Sequence, residues 1–206
     1  NGRFYVFYSA PLRPKATPGW SCTNRLSEFR VSAADPDTAD PADYVGLVFS
    51  PQPPAGGAAA LSLLIIYNDL NRVGWTYDAA TGSYALSMDR SDGTGELVPA
   101  TDRLTGQPLR FPNVAVLFAQ HRVVNRAGTI VEMELLYVQN RYGLLLRDGK
   151  VYEMIWSTRG GRLQLADRAG ASLALKPGPT FFEVVNYGSE WNPGKMLVRF
   201  HNPPLP

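Results

Sequence analysis

Side chains that do chemistry are scarce in this sequence, which holds two histidines and one cysteine. His121 falls in an apolar segment and His201 near the C-terminal end. Neither has a partner at the His-x-x-x-His spacing that sets two imidazoles on one metal, so both read as structural. Cys22 has no second cysteine, which excludes an intrachain disulfide and a paired-cysteine metal site. The chemistry left to it is nucleophilic attack with His121 as base. No Gly-x-Ser-x-Gly elbow is present to expose a serine nucleophile. Asp89 to Glu96 and Asp35 to Asp43 collect carboxylates, as a calcium loop does. The first lacks the alternating ligand spacing of an EF-hand and the second is punctuated by prolines, so both read as surface loops. Glu132, Glu134, Glu153 and Glu183 all fall in strand-like segments, where two carboxylates could serve glycoside hydrolysis. Glu132 and Glu134 share one face by strand alternation, opposite Val131, Met133 and Leu135, which reads as a solvent-facing side. The sequence implies no cofactor, no metal and no catalytic group that can be named.

Aromatic residues supply the remaining candidate site. Trp75, Tyr77 and Tyr84 lie close along one hairpin pattern, and with Arg90 and Asp102 they could line a groove for a sugar ring or an extended peptide. The competing reading is core packing, because Trp75 and Tyr77 share a strand face. Both readings stand at this level.

The elements that must position these residues are strands. Val73, Trp75 and Tyr77 alternate with Gly74, Thr76 and Asp78, the period of a strand with one buried face, and Thr81-Gly82 turns the chain back into Tyr84 to Met88. Leu144 to Leu146 and Val151 to Trp156 flank Asp148-Gly149, a dipeptide suited to the positive φ angles of a tight hairpin. Leu163 to Leu165 and Leu173 to Leu175 form a looser hairpin with Gly170 in its loop, and Thr180 to Val185 follows Pro177-Gly178-Pro179 as another strand. The apolar run Leu61 to Tyr67 suits a strand buried on both faces, and Asn113 to Val124 reads as one long strand paired with Ile130 to Tyr137. A short helix is expected over residues 21 to 30, where Ser21 or Thr23 can cap it. The expected fold is mainly β: an antiparallel, hairpin-rich meander, as a sandwich or partly open barrel, with one or two short helices.

Length and composition set wider bounds. With 206 residues and 45% hydrophobic content the chain can bury a substantial core. A net charge of +2 is too small to imply a nucleic-acid partner, and none is expected. No stretch approaches the roughly 20 apolar residues that span a bilayer as a helix. Arg3 to Tyr8 is strand-like from the outset, which leads us to expect that the chain starts within a longer protein.

The order Tyr77-Asp78, Thr81-Gly82-x-Tyr84, Thr101-Asp102, Asn113-Val114-Ala115-Val116, Asp148-Gly149-Lys150 with Trp156, and Leu175-x-Pro177-Gly178-x-Thr180 resembles the C-terminal part of the YerB-type putative lipoproteins. That bacterial family has no known function, and the similarity spans roughly residues 61 to 187. It departs from the pattern at Leu86, where family members carry an arginine. The resemblance implies two parts: residues 1 to 60, the remnant of a larger N-terminal portion, and residues 61 to 206, a β-rich C-terminal domain. It also implies an extracytoplasmic address, with membrane attachment through an N-terminal lipid anchor outside this chain. The functional expectation is a non-catalytic binding or interaction domain of the bacterial envelope, whose partner is an envelope protein or a cell-wall polymer. Two rivals are a carboxylate-dependent hydrolase of envelope glycans or peptides, and a structural subunit of a surface assembly.

Overall fold

Strand alternation and tight turns organise the computed structural model, which describes residues 46–125, 130–159 and 162–205. In chain order the strands are β1 (Ala58–Ala59), β2 (Ser62–Asn68), β3 (Asn71–Asp78), β4 (Ser83–Asp89), β5 (Leu97–Pro99), β6 (Arg110–Phe111), β7 (Asn113–Ala119), β8 (His121–Val123), β9 (Val131–Met133), β10 (Arg141–Arg147), β11 (Lys150–Arg159), β12 (Arg162–Ala166), β13 (Thr180–Asn186), β14 (Glu190–Asn192) and β15 (Leu197–Arg199). One sheet has the order β1-β11-β10-β7-β13, with β12 also on β11. The other has the order β14-β15-β2-β3-β4-β5, with β6 also on β4. The two pack face to face and neither closes into a barrel. No helix occurs among the described residues, and the helix expected over residues 21 to 30 lies outside them.

The β3–β4 hairpin across Thr81-Gly82 and the β10–β11 hairpin across Asp148-Gly149 are present, and the turn after β12 returns as an isolated bridge, Ala166 with Ser172, rather than as a second strand. Asp148 and Gly149 adopt φ values of 51° and 72° between the paired residues Arg147 and Lys150, so both central residues of the two-residue turn are left-handed. Leu173 N donates to Leu165 O at 2.9 Å, and Gly170 takes φ 87° in the loop between them. Two pairings are parallel, β7 with β13 and β15 with β2. Both join segments far apart in sequence, because parallel neighbours need a long crossover that no short turn can announce.

Two expectations are corrected. Leu61 to Tyr67 is not buried on both faces: Leu63 and Ile65 are sealed in the core, whereas Leu61 is 65% exposed. The strand buried on both faces is β7, whose seven residues are all buried. It is central in its sheet, with Val114, Val116 and Phe118 facing the second sheet and Ala115, Leu117 and Ala119 facing a second apolar cluster with Leu47, Leu173 and Leu175. The expected long strand to Val124 also breaks at Gln120. Only the short β8 pairs with β9, while Asn113 to Ala119 is taken by β10 and β13. Burial of two apolar faces outweighs the local hairpin there.

The Asp148-Gly149 turn yields a test. A Cβ on Gly149 would lie 2.9 Å from Tyr77 Cε1, whereas at Gly170 nothing lies within 4 Å. Both glycines have positive φ, so Gly170→Ala reports backbone strain alone, about 1 kcal/mol. Gly149→Ala is expected to cost clearly more in urea denaturation, and equal costs would show that Tyr77 does not pack against the turn.

Candidate functional site

The five residues expected to line a groove are dispersed. Trp75 is 1% exposed, with its ring 4.9 Å from that of Phe181 and 5.8 Å from that of Phe111. Tyr84 is fully buried and donates its hydroxyl to Ala60 O at 3.0 Å. Tyr77 is half-buried, 5.1 Å from the Tyr84 ring and directly beneath Gly149. Arg90 is exposed and pairs with Asp92 and Glu96 of its own loop. Asp102 holds a separate turn, accepting from Leu104 N and Thr105 N at 2.9 and 2.8 Å. The structure brings Tyr77 and Tyr84 together, leaves Trp75 and Tyr84 no open ring face, and places Arg90 and Asp102 in different loops.

Carboxylates suited to hydrolysis are tied up differently. Asp78 pairs with Arg110, Glu132 with Arg122, Glu134 with Arg141 and Glu153 with Arg168. Backbone hydrogen bonds hold Asp78 and Asp102 below the usual carboxylate range. Glu183 is pushed the other way, because burial raises its carboxyl more than its two hydrogen bonds lower it. Tyr67 Oη donates to one oxygen at 2.6 Å and Trp75 Nε1 to the other at 3.1 Å, so the group is sealed between the sheets.

Three of the motif segments, those holding Gly82, Asn113 and Lys176, are tied in space to Asp148. Arg147 has no exposed side-chain surface. It donates Nε to Asp148 Oδ2 at 2.9 Å, Nη1 to Ala174 O at 2.8 Å, and Nη2 to Ser50 O and Pro51 O at 3.2 and 3.4 Å. Lys176 Nζ reaches Asp148 Oδ1 at 2.7 Å and Gly82 O at 3.0 Å. Asn113 grips the Lys176 main chain from both sides, donating Nδ2 to its carbonyl and accepting its N–H on Oδ1. One carboxylate thus staples the β10–β11 turn, the β3–β4 turn and the segment before β13. Arg147 and Lys176 were not singled out in the sequence. The one available signal was a cation ending the apolar run Leu144 to Leu146, beside Asp148.

An open cleft of about 570 Å³ lies elsewhere, at the free edge of β11. On the side of β11 away from β10, β1 pairs with Lys150 and Val151 and β12 ends opposite Ile155, so no strand stands on that side against Tyr152, Glu153 and Met154. The opening is bordered by Pro54, Tyr152, Glu153, Asp167, Ser172 and Trp191. The buried indole N–H of Trp191 has no hydrogen-bond partner. Its rim comes from four distant parts of the chain, which is why sequence reasoning missed it. Among the described residues no cluster of His, Cys, Asp or Glu could hold a metal.

The family model described as "Protein of unknown function (DUF3048) C-terminal domain" matches residues 63–182. The chain belongs to this family. It is 30% identical over 118 residues to "Putative lipoprotein YerB" of Bacillus subtilis (strain 168), a match covering 57% of this chain and 32% of that protein. The crystal structure of the YerB protein from Bacillus subtilis superposes with a TM-score of 0.52 at 26% identity, over 68% of this chain and 43% of that one. The chain therefore spans about a third of the length of the curated relative. The matched DUF3048 segment contains the whole Arg147–Asp148–Lys176 staple, whereas the Pro54 and Trp191 rims of the cleft fall outside it.

The staple predicts how stability depends on pH. Burial alone would raise the Asp148 carboxyl, but hydrogen bonds from Lys176 and Arg147 outweigh it and the net shift is downward. A lowered folded value means that the contribution is present above the unfolded carboxylate range and is lost as pH falls through the folded one. Asp148→Asn leaves Arg147 buried beside a neutral amide. We expect a loss of about 1–3 kcal/mol at neutral pH, discounted for the partial exposure of the pair, that shrinks on acidification. Urea denaturation at several pH values reads it, and a pH-independent difference would contradict the ionic account.

Proposed function

We propose that this chain is a non-catalytic binding domain of an extracytoplasmic bacterial envelope protein. Residues 61–206 act as its C-terminal domain, and residues 1–60 are the tail of a larger N-terminal part that carries the lipid anchor. The relative named a lipoprotein supports the address. The observation that carries the reading is the cleft at the free edge of β11, where main-chain groups, a tryptophan and two carboxylates border an unfilled space. Sites of this size and mixed lining hold part of an extended ligand. A hydrolase would need a raised carboxyl at an open site to act as acid near neutral pH. Among the described residues the raised carboxyl is Glu183, enclosed by Tyr67 and Trp75.

Ser172 is exposed on the cleft rim, so Ser172→Trp fills the space without removing a core side chain. With the chain immobilised against envelope extract, this variant is expected to lose roughly tenfold of the capture of whatever the wild type retains. Its denaturation midpoint should be unchanged. Equal capture by variant and wild type would sink the cleft as the binding site.

A further inference from the structure

The reading of the cleft as a binding site leaves its ligand open, and the shape of the opening narrows the class. Thr158 N donates to Val138 O on the β10 side of β11. Alternation along an antiparallel strand therefore turns the main-chain groups of Glu153 toward the open edge. Both flanking strands, β1 and β12, run antiparallel to β11. The break between them spans three residues of β11, about 10 Å at ~3.3 Å per residue. A short extended main chain laid into that break continues the sheet and meets donor and acceptor groups already set for it. Trp191, at the same opening, has an indole N–H with no acceptor, an uncommon state for a buried donor.

Charge selects the side chain. Glu153 and Asp167 border the cleft, and no lysine or arginine does. Asp167 spends Oδ1 on Ala169 N and Ala171 N, with neither bond reaching Oδ2. Glu153 accepts from Arg168, whose side chain is 72% exposed. Such an exposed pair is worth little, so a ligand cation can displace the arginine and take over its position on the carboxylate. Arg168 marks where a guanidinium or ammonium is accepted.

We infer that the cleft takes a short extended peptide segment bearing a basic side chain, its main chain paired with Glu153 and its cation held by Glu153 and Asp167. This inference rests on the cleft being the binding site. The test uses the full chain labelled with nitrogen-15 and titrated separately with acetyl-Ala-Lys-Ala-amide, acetyl-Ala-Glu-Ala-amide and a soluble N-acetylglucosamine oligomer. Saturable shifts of the Glu153 amide and the Trp191 indole N–H are expected with the lysine peptide, at least roughly tenfold tighter than with the glutamate peptide. Glu153→Gln combined with Asp167→Asn, which keeps the Oδ1 acceptor, should abolish that preference while the spectrum stays folded. Equal affinities for the two peptides, no response to either, or shifts outside the cleft would overturn the inference. Shifts at the cleft with the oligomer alone would overturn it too, while leaving the binding-site reading intact. Loss of envelope capture in Ser172→Trp, together with silence from all three probes, separates the two ideas in the same way.

Discussion

A buried guanidinium must be paired, and the architecture around the β10–β11 turn follows from meeting that demand. Arg147 ends a strand whose neighbours are fully buried apolar residues, so its charge has no route to water. Leaving such a charge without its carboxylate costs about 1–3 kcal/mol at a pair whose carboxylate is partly exposed, a sizeable share of a domain's net stability. Asp148 answers it from the next residue, but only because the two-residue turn puts Asp148 at φ 51° and Gly149 at 72°. The carbonyls of Ser50, Pro51 and Ala174 complete the set, which fixes the strap before β1 and the segment after β12. Lys176 then shares the carboxylate and carries the connection across to the β3–β4 turn of the other sheet.

Local signals were enough to read the β3–β4 and β10–β11 hairpins and their turns. Alternation at Val73, Trp75 and Tyr77, and the Asp148-Gly149 dipeptide, each dictate geometry within a few residues. What escaped is non-local. The central place of β7 depends on β13, which lies far along the chain, and on an apolar layer supplied by Leu47, Leu173 and Leu175. The aromatic hairpin was visible as a hairpin, but the burial of Trp75 was decided by Glu183, an acceptor 108 residues away that satisfies the indole inside the core. Arg147 carries little signal of its own, because beyond Asp148 its acceptors are main-chain carbonyls, which leave no mark on a sequence. The cleft is a gap between strands, and a gap has no residue pattern at all.

Gly82, Asn113, Asp148 and Lys176 meet at the staple, inside the matched segment, and their polar groups are engaged within the protein. The cleft has the opposite character, with a strand edge unpaired, an indole donor unsatisfied and Glu153 paired with an arginine that is itself exposed. On this account the motifs hold the fold and the cleft meets the partner. The two can therefore vary independently, since the cleft rims at Pro54 and Trp191 lie outside the matched segment.

Lys176→Met tests that division most directly, because it removes the shared cation from the staple and borders no part of the cleft. Denaturation midpoint and envelope capture are to be measured on the same purified variant. The account predicts a lowered midpoint with capture per folded molecule equal to that of the wild type. An unchanged midpoint with capture lost would contradict it, and would make the staple itself the binding site.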